Sequence, residues 1–146
     1  IDAPLQAELA KRAGSVDFVR LDPTSCAGEG AAAAERAKGA DVVLLALFVR
    51  PRSGRGTLEV PAEGKAALAP LLASGRPVVG VSFGSPYLLR DLPGLPTYLC
   101  AYGHQALVQT AAVRALWGEA PIEGTLPVTI PGIAPRGMGI RKEAVK

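Results

Sequence analysis

The most chemical-looking stretch of the chain is Gly80-Val81-Ser82-Phe83-Gly84. It matches the G-x-S-x-G pattern, in which a serine nucleophile is exposed on a sharp strand-to-helix turn. Asp91 and His104 follow in the Ser, Asp, His order used by one large class of serine hydrolases. Residues 78–89 also read as strand, turn and helix, the order such a nucleophile needs. Two features weigh against this use. That architecture places far more chain between the serine and its histidine, and Pro86 opens the helix later than the turn requires. The plainer reading makes Ser82 a strand-end residue and Gly84 the hinge of a tight turn. A serine hydrolase using Ser82 stays open as an alternative.

Cleavage of a glycosidic bond calls in most families for two carboxyl groups flanking the bond. Glu59, Glu63, Asp91, Glu119 and Glu123 are available, but they fall on loops or helix starts and no spacing pairs them. Sugar sites also favour exposed aromatic platforms. Aromatic residues make up only 5% of this chain, and Phe48, Tyr87, Tyr102 and Trp117 read as core. The loop carrying Arg50, Arg52, Ser53, Gly54, Arg55 and Gly56 follows an apolar strand, at the edge where open α/β sheets bind ligands. Its arginines and glycine amides suit an anion, although a solvated surface loop is the simpler reading. Gly28-Glu29-Gly30 lacks the spacing of a phosphate loop and reads as the start of a helix.

Cys26 and Cys100 are too far apart for a C-x-x-C site, and His104 is the single histidine. No metal site and no cofactor is therefore expected. Cys100 falls within an apolar strand pattern and reads as an inert core thiol.

These candidates sit on a regular alternation of elements. Residues 4–13 form a helix with Leu5 and Leu9 apolar, ended by Lys11, Arg12 and Gly14. Residues 16–21 (VDFVRL) alternate as a strand near an edge would. Residues 31–38 are an alanine-rich helix closed by Gly39. The continuous apolar run 41–48 (DVVLLALF) predicts a central strand covered on both faces. Pro61 opens the next helix, with Leu68, Leu71 and Leu72 as its stripe and Pro70 predicting a kink or late start. Residues 77–83 and 97–102 are strands, and between them Ser85-Pro86-Tyr87 begins a short helical turn. Residues 105–117 are a helix with Leu107, Ala111 and Leu116 on one face, and residues 124–130 a last short strand.

Helices and strands alternating in this way predict an α/β domain with a mainly parallel sheet. The chain opens on a helix, which predicts that a first strand is lacking. At 146 residues it is one domain's worth, residues 1–146. Alanine supplies much of the 49% hydrophobic content and points to tight helix packing rather than membrane insertion. No apolar run approaches the roughly 20 residues of a spanning helix. The +3 net charge gathers in the Arg50–Arg55 loop and in a tail with Arg136, Arg141, Lys142 and Lys146, without interleaved aromatics, so no nucleic-acid partner and no membrane is expected. With no signal-peptide pattern at the start of the sequence given, a cytoplasmic location is expected, and a signal removed from a longer precursor stays open.

Four blocks in order, DVVLLALFVRPRSGRG, VVGVSFGSPYLLRDLP, LCAYG and GEAPIEGTLPVTIPG, resemble the C-terminal domain of glycoside hydrolase family 3. The similarity is to the bacterial branch of β-N-acetylglucosaminidases and runs from about residue 41 to 132. It implies a three-layer α/β/α sandwich of flavodoxin-like type, packed against an N-terminal TIM-barrel domain of the same enzyme and sharing its carbohydrate substrate. It also implies that the nucleophilic aspartate, and in this branch an acid/base histidine, lie on the barrel, so that no catalytic residue carries over to this chain. The cleft-lining candidates are then Arg50, Arg52, Ser53, Arg55, Ser85 and Tyr87. Alongside this stand the serine hydrolase and a free-standing α/β binding or scaffold module.

Overall fold

Apolar runs that alternate with helical stripes along the chain fold here as alternating helices and parallel strands. The computed structural model describes residues 1–22, 25, 27–49 and 58–145. In chain order the elements are α1 (Ala3–Ala10), α2 (Ala27–Ala37), β1 (Val43–Leu47), α3 (Ala62–Leu72), β2 (Val78–Ser82), β3 (Thr97–Cys100) and α4 (Ala106–Leu116). A 3-10 helix, Pro86–Asp91, lies between β2 and β3. Contacts group the chain into two compact units, residues 17–102 and residues 1–16 with 103–146. No helix among the described residues is long and apolar enough to cross a membrane.

The unit 17–102 holds the sheet, in the order β1-β2-β3 with every pairing parallel. Val43 faces Val78 and Leu47 faces Ser82, while Val79 faces Thr97 and Ser82 faces Cys100. The α/β class with a parallel sheet is therefore as the alternation predicts. Two expectations need correction. Among the described residues β1 pairs with β2 alone, so it is an edge strand and not a central one, and most of it is half-buried. Residues 16–21 form no strand, and Phe18 and Val19 are each 43% exposed. A period of two, or an unbroken apolar run, defines the faces of a strand but does not supply its neighbours.

Leu47, Val60, Leu68, Val78, Leu88, Leu92 and Leu95 form one buried cluster in this unit, joining β1, α3, β2 and the 3-10 helix region. Helix α2 has no large apolar side chain, and buries Gly30, Ala33, Ala34 and Ala37 at the i, i+3, i+4, i+7 spacing of a single helical face. Its partner is α3, where Ala67 is fully buried. A Cβ on Gly30 would fall inside the Ala67 carbonyl, so the contact is backbone against backbone. This is the tight packing that the alanine content predicts. Helix α3 runs through Pro70, which removes one backbone donor without ending it.

In the other unit α1 packs on α4. Leu5 and Leu9 are buried as their spacing predicts, but the face of α4 is not the expected one. Gln109, Ala112 and Val113 are buried, whereas Leu107 is 83% exposed. The polar Gln109 turns inward because it answers three backbone groups. Its Oε1 accepts from the Leu5 N–H at 3.0 Å, and its Nε2 donates to the Ile1 and His104 carbonyls at 2.8 and 2.7 Å. Asp2, at the head of α1, makes no side-chain cap, so Gln109 supplies that helix with an acceptor from a distance. Arg12 adds a paired contact to Glu119 at 2.6 and 2.8 Å and bonds to Glu8. The Lys11 and Arg12 cations hold the Glu8 carboxyl below its ordinary range, and Arg12 does the same for Glu119.

The expected final strand at 124–130 is also absent. Residues 122–142 instead fold back on themselves, with Ile122 and Lys142 exchanging backbone hydrogen bonds and Leu126 bonding Met138 and Gly137. Pro127 and Pro131 lack the donors a regular ladder needs, which leaves isolated bridges.

Candidate functional site

The carboxyl ends of parallel strands carry the ligand-facing loops of α/β proteins, and β2 and β3 end here on a polar cluster. Ser82 is fully buried and its hydroxyl donates to the Ser85 carbonyl at 2.8 Å. The Tyr98 hydroxyl reaches the same carbonyl at 3.4 Å. Ser85 in turn caps the 3-10 helix, its Oγ accepting from the Tyr87 N–H at 3.2 Å. Pro86, at the first helical position, has no donor to satisfy. Ser85 is thus held at both its carbonyl and its hydroxyl, and Tyr87 is 38% exposed.

Glycine makes room for this cluster. A Cβ on Gly80 would collide with Leu95 and crowd Tyr98, so a strand glycine is what lets these side chains cross β2. Burial pushes the Tyr98 phenol up to about 12, with the Ser82 hydroxyl opposing the shift and Cys100 and Tyr102 adding to it. Burial likewise raises the free Cys100 thiol and the Tyr102 phenol. Because the folded state keeps the Tyr98 proton where the unfolded chain releases it, this group's contribution is complete below pH 10 and is lost as the pH rises towards 12. Thermal melts between pH 9 and about 12 are expected to show a steeper fall in Tm for the unaltered protein than for Tyr98→Phe. Parallel curves would contradict the assignment.

The sequence-predicted residues divide. Arg50, Arg52, Ser53 and Arg55 lie outside the described residues. Ser85 and Tyr87 stand on the strand-end rim, and the described residues flanking 50–57 approach the same segment. The Val49 carbonyl lies against Gly84, where a Cβ would come within 3.1 Å of it. The Val60 N–H donates to Asp91 Oδ2 at 2.9 Å, and Asp91 also pairs with Lys65 at 2.7 Å. Beside that pair a hollow of about 390 Å³ opens, walled mainly by Ala69, Leu72, Ala73, Leu92 and Pro93.

The serine hydrolase alternative does not survive this geometry. Ser82 has no exposed surface and its hydroxyl is engaged, while Asp91 is committed to Val60 and Lys65 rather than to orienting a base. The aromatic residues need a second correction. Tyr87, Tyr102 and Trp117, expected as core, are 38%, 47% and 40% exposed, and only Phe48 is packed as expected, stacked on Phe83 at 4.6 Å. Neither Tyr98 nor Tyr102 was recognisable as a rim residue from composition. The available signal for Tyr98 was its period-two spacing with Cys100, which puts both on one face of β3, whereas Tyr102 lies beyond the strand with φ +60 and the spacing does not place it.

A curated protein from Cellulomonas fimi, named β-N-acetylglucosaminidase/β-glucosidase, is 35% identical to this chain over 89 residues. The chain is related to a glycoside hydrolase. The match takes in 60% of this chain but only 16% of the relative, so the relative is a much larger protein. No family model matches the chain, and no solved structure matches it.

Proposed function

We propose that this chain is the C-terminal domain of a family 3 glycoside hydrolase of the β-N-acetylglucosaminidase type. The observation that carries the reading is the 35% identity to the Cellulomonas fimi enzyme, over a stretch that makes up 16% of that protein. The four blocks that resemble the family support it, and the parallel sheet is of the expected class. In this reading the chain buttresses a TIM-barrel domain that bears the nucleophilic aspartate. The enzyme attacks the anomeric carbon, forms a covalent glycosyl-enzyme and hydrolyses it with retention of configuration. The segment Ser85-Pro86-Tyr87 and the loop of Arg50, Arg52, Ser53 and Arg55 line the substrate cleft.

The test compares two proteins on aryl β-N-acetylglucosaminide and aryl β-glucoside. One is the 146-residue chain and the other is the complete product of the reading frame that encodes it. The longer product is expected to contain a barrel of about 250 residues and to turn over one of the substrates, while the isolated chain turns over neither. Hydrolysis by the pure 146-residue chain, or a frame without a barrel, overturns the reading.

A further inference from the structure

The geometry points to Tyr102 as a stacking platform for a neutral pyranose ring at the carboxyl end of β3, an assignment that rests on the glycosidase reading above. Tyr102 has φ +60, and no other non-glycine residue among those described has a positive φ. An aromatic side chain at that angle is strained, and such outliers persist where the surroundings or a function demand them. Burial does not supply the compensation, because the residue is 47% exposed. Glycine or asparagine would satisfy the backbone better. A large ring is nevertheless held at a strained position and left facing solvent.

Its surroundings define what it suits. Tyr102 lies two residues beyond β3, and the neighbouring Ala101 N–H donates to the Ser82 carbonyl at the end of β2. Residues 82–87 and 98–102 contain no charged side chain, only the hydroxyls of Ser82, Ser85, Tyr87, Tyr98 and Tyr102 and the Cys100 thiol among their polar side chains. An exposed tyrosine, whose apolar ring face ends in a neutral hydroxyl, fits a hexopyranose, whose C–H face is apolar and whose rim is hydroxylated. A tyrosine offers a large contact area while losing little side-chain freedom.

The test uses the full 146-residue chain, with N-acetylglucosamine and methyl β-glucoside as separate probes in saturation-transfer NMR. Transfer from tyrosine ring protons to the sugar C–H protons is expected for at least one probe. Tyr102→Gly is expected to weaken that binding by about tenfold or more while its Tm holds or rises, and Tyr102→Phe to stay within about threefold. Tyr102→Asn is a second variant suited to the same backbone angle. Three results overturn the assignment: no transfer to either sugar, equal affinity in Tyr102→Gly, or a fall in Tm in both the glycine and the asparagine variant. If binding fails while the longer enzyme still hydrolyses its substrate, the Tyr102 assignment falls and the glycosidase reading stands. If that hydrolysis fails, the reading itself falls.

Discussion

Gly30→Ala is expected to destabilise the protein by about 2 kcal/mol or more, although helix propensity alone argues for the opposite sign. Alanine in a helix interior is favoured over glycine by about 1 kcal/mol. At Gly30 the added Cβ would lie inside the Ala67 carbonyl of α3, and a backbone atom cannot rotate aside as the tip of a side chain can. The two helices must separate. Separation also opens the contacts of Ala33, Ala34 and Ala37, which make up the rest of the buried face of α2. Overpacking of this kind typically costs about 1–3 kcal/mol, and for a chain of this size each kcal/mol lowers Tm by roughly 2–4 °C. A melt followed by circular dichroism should therefore shift down by about 4–8 °C. An unchanged or higher Tm would mean that α2 and α3 do not meet backbone to backbone.

The second large effect is expected at Gln109. Gln109→Leu nearly conserves volume but leaves the Leu5 N–H and the Ile1 and His104 carbonyls without the partners they have now. An unsatisfied buried polar group costs about 1–3 kcal/mol. The Leu5 N–H bond is buried and the other two are partly so, which makes a total loss of about 3 kcal/mol reasonable. The more specific readout is local. Amide exchange at Leu5 should accelerate more in Gln109→Leu than exchange in the middle of α4. Protection at Leu5 equal to that of the unaltered protein would show that Gln109 does not cap α1.

These two residues also show what could and could not be read in advance. The packing at Gly30 was foreshadowed by composition, since a helix of alanine and glycine has nothing but close approach with which to bury itself. Gln109 was not, because a polar side chain in an amphipathic pattern is ordinarily assigned to solvent. Its inward face appears only when the head of α1 lies beside it. The same holds for Leu107, which the pattern placed inward and the structure leaves 83% exposed.

The candidate site was legible in part. Ser85 and Tyr87 were singled out from their position after a strand, and the structure places both just beyond the carboxyl end of β2. Ser82 was conspicuous as a motif, yet its burial and its bond to the Ser85 carbonyl make it a structural residue. Tyr102 passed as core because an aromatic in an apolar stretch usually is, and its backbone angle is not written in its residue type.

By itself the sequence determined the α/β class, the parallel sense of the strands and most element positions to within a few residues. Those follow from hydrophobic period and turn residues, which act over short stretches of chain. Tertiary structure alone decided that β1 lies at an edge among the described residues, that residues 16–21 and 124–130 form no strands, which face of α4 turns inward and which tyrosines meet solvent. Each of these depends on which distant segment supplies a backbone partner or covers a side chain, and no local pattern carries that information.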